Sequence, residues 1–316
     1  MSNEKVKHKT SIGGQALIEG VMMRGVDSSA MALRLPTGEI ELEKWDIKGG
    51  KSLPWYRKIP ILRGCFNFVS SMVEGYKCLM KSAQRAADFE EEDDEEPSKF
   101  EKWLDENLGD KIMPVLTVIA MILGCGIAVF LFVFLPTFLI NKLDSAVNVG
   151  NFKALLEGVL KVVILVIYLW ITSKMKEMKR TYQYHGAEHK TIACYEACEE
   201  MTVENVRKMR RFHPRCGTSF LLIVLIVGIL VFSFVTVSNV WLRVAFRFLT
   251  LPLIVGISYE IIKIAGRYDN IFTRIISAPG LGLQRITTNE PDDSQIEVAL
   301  KAFIAVAPED KESDKW

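Results

Sequence analysis

Residues 112 to 140, IMPVLTVIAMILGCGIAVFLFVFLPTFLI, run for 29 positions without a charged side chain. A hydrocarbon core about 30 Å thick needs only about 20 helical residues to cross it. A helix that is apolar on every side belongs in lipid or in the centre of a large core, and here the length predicts a membrane span. Pro114 suits its first turn, and Pro136 is expected to kink or end it. Three more stretches follow the same logic. Residues 155 to 171 carry only Glu157 and Lys161 and end near Tyr168 and Trp170, side chains suited to a membrane interface. Residues 218 to 238 are uncharged, and after a turn near Ser238 and Asn239, residues 248 to 265 make a fourth. The expected fold class is a membrane protein: an α-helical bundle of about four transmembrane helices with a small cytoplasmic β-rich (α+β) domain.

The 316 residues include 39 Lys plus Arg and 38 Asp plus Glu. A mean hydropathy of +0.18 beside so many charges requires very apolar stretches alternating with very polar ones. That composition excludes a disordered polymer, a collagen-like repeat and a disulfide scaffold. A net charge of +1 supplies no overall basic field, so nucleic acid is not an expected partner. Membrane lipid is.

The distribution of charge gives an orientation. Residues 172 to 217 hold ten Lys and Arg, whereas residues 141 to 154 hold only Lys142 and Lys153. The rich loop is expected to face the cytoplasm. Four spans then put both termini on that side of the cell membrane. Arg243 and Arg247 run against this and would have to snorkel to the outer interface. The N-terminus MSNEKVKHKT lacks an apolar core segment, so the first span is expected to act as its own signal. The six cysteines are scattered and mostly on the expected cytoplasmic side, which favours reduced thiols or metal ligands over bridges.

The polar parts divide as follows. Residues 1 to 10 are expected to be disordered. Residues 11 to 87 hold a β element, in which Pro36, Thr37 and Gly38 separate two alternating runs in the manner of a hairpin, then an amphipathic helix. That helix either lies along the membrane surface or packs on the β element. The acidic run at 88 to 98 reads as a solvated linker. Residues 99 to 266 form the transmembrane region with its loop at 172 to 217. In the tail from 267 to 307, a glycine-rich loop PGLGLQR leads to an extended piece. Asp292 or Asp293 then caps a helix bearing Ile296, Leu300, Phe303 and Ile304, which is expected to dock on the N-terminal element or on a partner. Residues 308 to 316 are expected to fray.

The loop at 172 to 217 carries the chemistry. In YHGAEHKTIACYE, His185 and His189 stand four apart, on one face of a helix, able to grip one metal ion. Glu188 lies about 60° round from His185 and can serve as general base. Glu196 returns to within about 20° of His185, which makes it a candidate ligand; Cys194 and Cys198 fall roughly opposite. In RRFHPRCGTSF, His213 and Cys216 have spacing suited to one metal, at the start of an apolar helix that favours a thiolate. A Zn²⁺ site from His185, His189 and one of Glu196, His213 or Cys216 is the sharpest expectation. Glu260 and Lys263, three apart near the end of the fourth span, read as a local ion pair, with Glu260 as a reserve ligand.

The motifs GGQALIEGVMMRG, YHGAEHKTIACYE, HPRCGTSFL and PGLGLQRITTNEP, in this order, resemble the YqhQ-like family of bacterial multipass membrane proteins, which has no known function and carries the label of a metal-dependent enzyme. The likeness runs from about residue 11 to about residue 307. It implies that Gly13, Gly14, Gln15, Glu19, Arg24, Gln284 and Arg285 gather near the metal candidates.

Two functional classes follow. One is a membrane-embedded metal-dependent hydrolase, with Glu188 as base and a peptide or lipid-linked substrate. The other is a non-catalytic protein that docks a cytoplasmic or membrane protein partner, for example in membrane-protein biogenesis, with a structural metal or none. Transport finds little support, because the spans offer almost no intramembrane polar groups for a substrate path.

Overall fold

The computed structural model describes residues 7–47, 55–90, 112–233 and 240–316. Residues 91 to 98 of the acidic run, the turn at Ser238 and Asn239, and residues 1 to 6 lie outside them. So do the side chains of Arg243 and Arg247. The chain forms two compact units, residues 1–87 with 168–316, and residues 88–167.

The first unit is built on a four-stranded antiparallel sheet in sequential order: β1 (Gly13–Leu17), β2 (Gly20–Arg24), β3 (Ser28–Arg34) and β4 (Ile40–Asp46). Pro36 to Gly38 do form the β3–β4 turn, with Gly38 at φ 89°. β4 alternates as expected of a strand with one wet face. β2 and β3 are buried almost throughout, because both of their faces are apolar and each needs a cover. Val21, Met23, Ala30 and Ala32 face α10 (Asp293–Val306), through Ile296, Ala299 and Phe303. Leu17, Met22, Met31 and Leu33 pack with Cys78 of α1 (Leu62–Glu90) on the other side. α1 is thus the cover of one sheet face, and it takes in the start of the acidic run.

Asp292 caps α10 in a reciprocal capping box with Gln295. Ile296, Leu300 and Phe303 are buried, whereas Ile304 is 58% exposed, so the apolar face is narrower than its spacing suggested. α5 (Lys176–Glu196) and the short α6 (Val203–Lys208) complete this core. Two apolar helices, α7 (Gly217–Ser233) and α8 (Val240–Arg267), pack on each other through Ile223, Val227, Ile254 and Ile262.

Two expectations for the tail are corrected. The segment containing PGLGLQR is no loop but the second half of a helix, α9 (Ile271–Thr287), started by a capping box between Asn270 and Thr273. Tertiary packing overrides the local Gly and Pro signal: a Cβ on Gly280 would come within 2.6 Å of the Ser219 Cβ, so the glycine lets α9 press against α7. Gly280→Val is expected to force the two helices apart and to cost about 1–3 kcal/mol, read as a lower unfolding midpoint in detergent. An unchanged midpoint would sink that account of the glycine.

The chain ends are the second correction. Thr10 and Asp314 are fully buried, and Asp314 accepts hydrogen bonds from His8 (2.7 Å) and Thr10. The Trp316 N–H donates to the Lys9 carbonyl (2.8 Å), and its indole donates to the Lys263 carbonyl (3.2 Å) while lying under Arg215. Residues 7–10 and 313–316 are tied to each other by these groups, against the expectation of a disordered N-terminus and a frayed C-terminal end.

The second unit holds α2 (Ile112–Val129), a π-helical turn at Phe130–Phe134, α3 (Leu135–Val147) and most of α4 (Lys153–Thr172). Pro136 does not end the first apolar helix. The wider π turn directly before it absorbs the missing N–H and the ring clash, and the helix runs on to Val147. Glu157 pairs with Lys161 at 2.8 Å and accepts from Thr137.

Among the described residues, three helices are long and apolar enough to cross a membrane: Val118–Val147, Lys153–Thr172 and Phe248–Arg267. The expected third span is described over Gly217–Ser233 as a shorter apolar helix, and residues 234 to 238 lie outside the described ones.

Candidate metal centre

α5 carries the HxxEH segment on a helix buried over most of its second half. Its face puts the His185 and His189 rings 4.4 Å apart. Cys216, the residue before α7, meets them: the His185 Nε2 lies 3.2 Å from its Sγ. One ligand atom from each of His185, His189 and Cys216 falls within 4.8 Å of the others, and this is the group that could hold an ion among the described residues. Tetrahedral Zn²⁺ with ordinary Zn–N and Zn–S bonds sets such atoms roughly 3.3–3.6 Å apart. The residues therefore fit zinc with small adjustments.

The orientation of the two imidazoles comes from the backbone. His185 Nδ1 is 2.8 Å from the Thr287 carbonyl, and His189 Nδ1 is 2.6 Å from the Arg211 carbonyl. A carbonyl can only accept, so each Nδ1 carries a proton and each Nε2 is the ring nitrogen left to face the centre, that of His185 toward the sulfur. The turn that carries Cys216 is held by one side chain. Gln284 of α9, fully buried, accepts from the His213 N–H (2.8 Å) and donates to the His213 carbonyl (2.7 Å) and the Ser219 hydroxyl (3.0 Å).

The electrostatics follow from burial and mutual contact. Burial pushes the Cys216 thiol up, but His185 and His189 overturn this and hold it well below the ordinary thiol value. Burial lowers His185; the Cys216 sulfur and Glu188 more than offset it, and His185 is raised to about 9. Glu188 is pushed up by burial, against the pull of His189 and His185. Its carboxyl carbon sits 3.0 Å from where a Cβ on Gly14 would fall, and the Met22 carbonyl and Met23 sulfur of β2 are closer still, so a side chain at residue 14 would press on Glu188 and on β2.

The remaining candidates go elsewhere. Glu196 shares the angular face of His185, but eleven residues along a helix is about 16 Å, too far for one ion. It pairs instead with Arg215 and accepts from the Thr10 N–H (2.9 Å). His213 turns toward this pair, its Nε2 3.6 Å from Glu196 and 3.0 Å from Arg215, and burial lowers it to about 4. Glu196 itself is held below the ordinary carboxyl value, since His213 and Arg215 outweigh its burial.

Of the residues implied by family resemblance, Gly14 and Gln284 reach the centre. Gln15 packs against Gly75 of α1, Glu19 pairs with Arg180, Arg24 pairs with Glu74, and Arg285 is exposed. Gly13 has open space around it. Glu260 pairs with Arg63 of α1 (2.7 Å), not with Lys263, and has no place as a ligand. Sequence reasoning missed Arg215, although it stands between His213 and Cys216. It also missed the Thr287 and Arg211 carbonyls, which leave no side-chain signal.

Residues 59–309 match the model of the DUF1385 family, described as a protein of unknown function. Over 300 residues the chain is 36% identical to the uncharacterized protein YqhQ of Bacillus subtilis (strain 168), covering 94% of this chain and 93% of that one. No solved structure matches. By the extent of both matches, this chain belongs to the DUF1385 family, the family of YqhQ.

Proposed function

We propose that the protein is a multipass membrane protein of four spans, with α7 continued past Ser233 as the third. Its cytoplasm-facing zinc centre works as a metal-dependent hydrolase. The ligands are His185, His189 and Cys216, and Glu188 is the general base. The observation that carries this reading is the pair of Nδ1–H bonds to the Thr287 and Arg211 carbonyls, which aim two imidazoles at one thiol. Arg215 supports it further by engaging Glu196 and His213, which leaves His185, His189 and Cys216 as the converging group, and three protein ligands is the number found in catalytic zinc sites. Zinc bound there would supply a Lewis acid and lower the pKa of water. Glu188, pushed up by burial, is a stronger base than an exposed carboxylate and is suited to take and return a proton. Cys216 opens an apolar helix, so the substrate class that fits is one presented at the membrane surface, a peptide or a lipid-linked molecule.

One observation favours a second reading. Glu188, His189 and Cys216 are all buried, which suits a structural metal in a protein that docks a partner. Metal content of the purified full chain tests the common premise. One zinc per chain is expected, and His189→Ala should weaken binding on the order of a hundredfold or more. A parent protein that carries no stoichiometric metal would end the hydrolase reading and leave a docking protein without a metal.

A further inference from the structure

Helix α1 is inside out. Its small residues Gly64, Gly75, Cys78 and Ser82 are buried against the protein. Leu62, Val69, Met72, Val73 and Tyr76 are 44% to 58% exposed. At 100° per residue these five fall within an arc of about 100°, on roughly the opposite side from the small ones. A helix on a water-soluble domain has the reverse arrangement.

The surroundings of its first turns say what covers that face. A Cβ on Gly64 would lie 2.7 Å from the Tyr259 Cβ, the Cys65 Sγ contacts the Pro252 carbonyl (2.9 Å), and Asn67 donates to the Tyr259 hydroxyl (2.9 Å). Pro252 and Tyr259 belong to the apolar helix Phe248–Arg267. α1 therefore begins alongside a membrane-competent helix, at the level of that helix's own exposed Leu251 and Leu253. Arg63, the one charge among residues 59–73, is matched there by Glu260 (2.7 Å), which reduces the cost of a charge at that depth.

We propose that the outward face of α1 is a lipid-contact surface, embedded in the acyl chains of the leaflet beside α8, with the sheet carried on its back. The metal centre is thereby held against the membrane by an in-plane helix as well as by the spans. This inference rests on the reading of the chain as membrane-spanning.

The test is photo-cross-linking of the full chain in native membranes, with benzoylphenylalanine replacing Val69 or Val73 and intact mass as the readout. The same probe at Leu123, an exposed position on the first apolar helix, and at Lys44, on the exposed side of β4, serves for comparison. The expected result is a mass increase of one phospholipid at Val69, Val73 and Leu123 and none at Lys44. An adduct of two chains, an adduct with another polypeptide, or no lipid adduct at Val69 and Val73 while Leu123 acquires one, overturns the proposal. If Leu123 also acquires no lipid, the membrane-spanning reading fails first and takes this one with it.

Discussion

Cells whose sole copy carries Glu188→Gln are expected to behave like cells lacking the protein, while the purified variant keeps the parent's zinc stoichiometry. Gln has nearly the shape of Glu, can still accept from the Gly14 backbone and leaves His185, His189 and Cys216 in place. What it removes is the proton acceptor. A positioned general base contributes about 10²- to 10⁴-fold to a rate, enough to abolish function in vivo. The structural-metal reading predicts the opposite, since a buried neutral amide would serve the packing as well as a carboxyl. Parental function in the Glu188→Gln strain would therefore exclude the hydrolase and leave the docking protein.

Arg215→Met is expected to be the most damaging single change outside the ligand set. Arg215 and Glu196 side chains are 5% and 6% exposed, and deleting the guanidinium leaves the Glu196 carboxylate buried with only the Thr10 N–H and His213 beside it, at a cost of up to about 3–5 kcal/mol. The unfolding midpoint in detergent should fall accordingly. Adding Glu196→Leu should restore much of the loss, because the pair's own net contribution is small once its desolvation is counted. Zinc stoichiometry in the double variant should match the parent's. Loss of zinc on removing Glu196 would return that carboxylate to the ligand set and refute the separation of the two clusters.

The contrast between these residues shows how much the sequence could reveal. His185 and His189 were legible because a spacing of four fixes both angle and height on a helix. Glu196 passed the angular test and failed on height, which an angular projection discards. Cys216 was legible as one of three alternatives. Choosing it required knowing that Gln284, from a segment 68 residues later in the chain, grips the turn at His213 and leaves the sulfur facing α5. The apolar helix at 112 to 140 was legible from length alone. α9 was not, because Pro279, Gly280 and Gly282 are loop residues by local preference and helical ones only when α7 lies alongside. Likewise α1 displays an amphipathic pattern that is satisfied equally by a core or by lipid. Only the position of its glycines against Tyr259 and Gln15 says which side faces in.

The placement of α10 also constrains how the molecule is made. The sheet is finished within the first 46 residues, yet the face formed by Val21, Met23, Ala30 and Ala32 lacks α5 until well over a hundred residues later and lacks its main cover, Ile296, Ala299 and Phe303, until the apolar helices have been synthesised. During that interval the nascent chain carries an open β surface prone to wrong pairing. The Cys216 turn waits equally long, since Gln284 precedes α10 by only a few residues. If the centre holds zinc as proposed, it can be loaded only late in synthesis, and a chain arrested before Gln284 cannot display a finished centre.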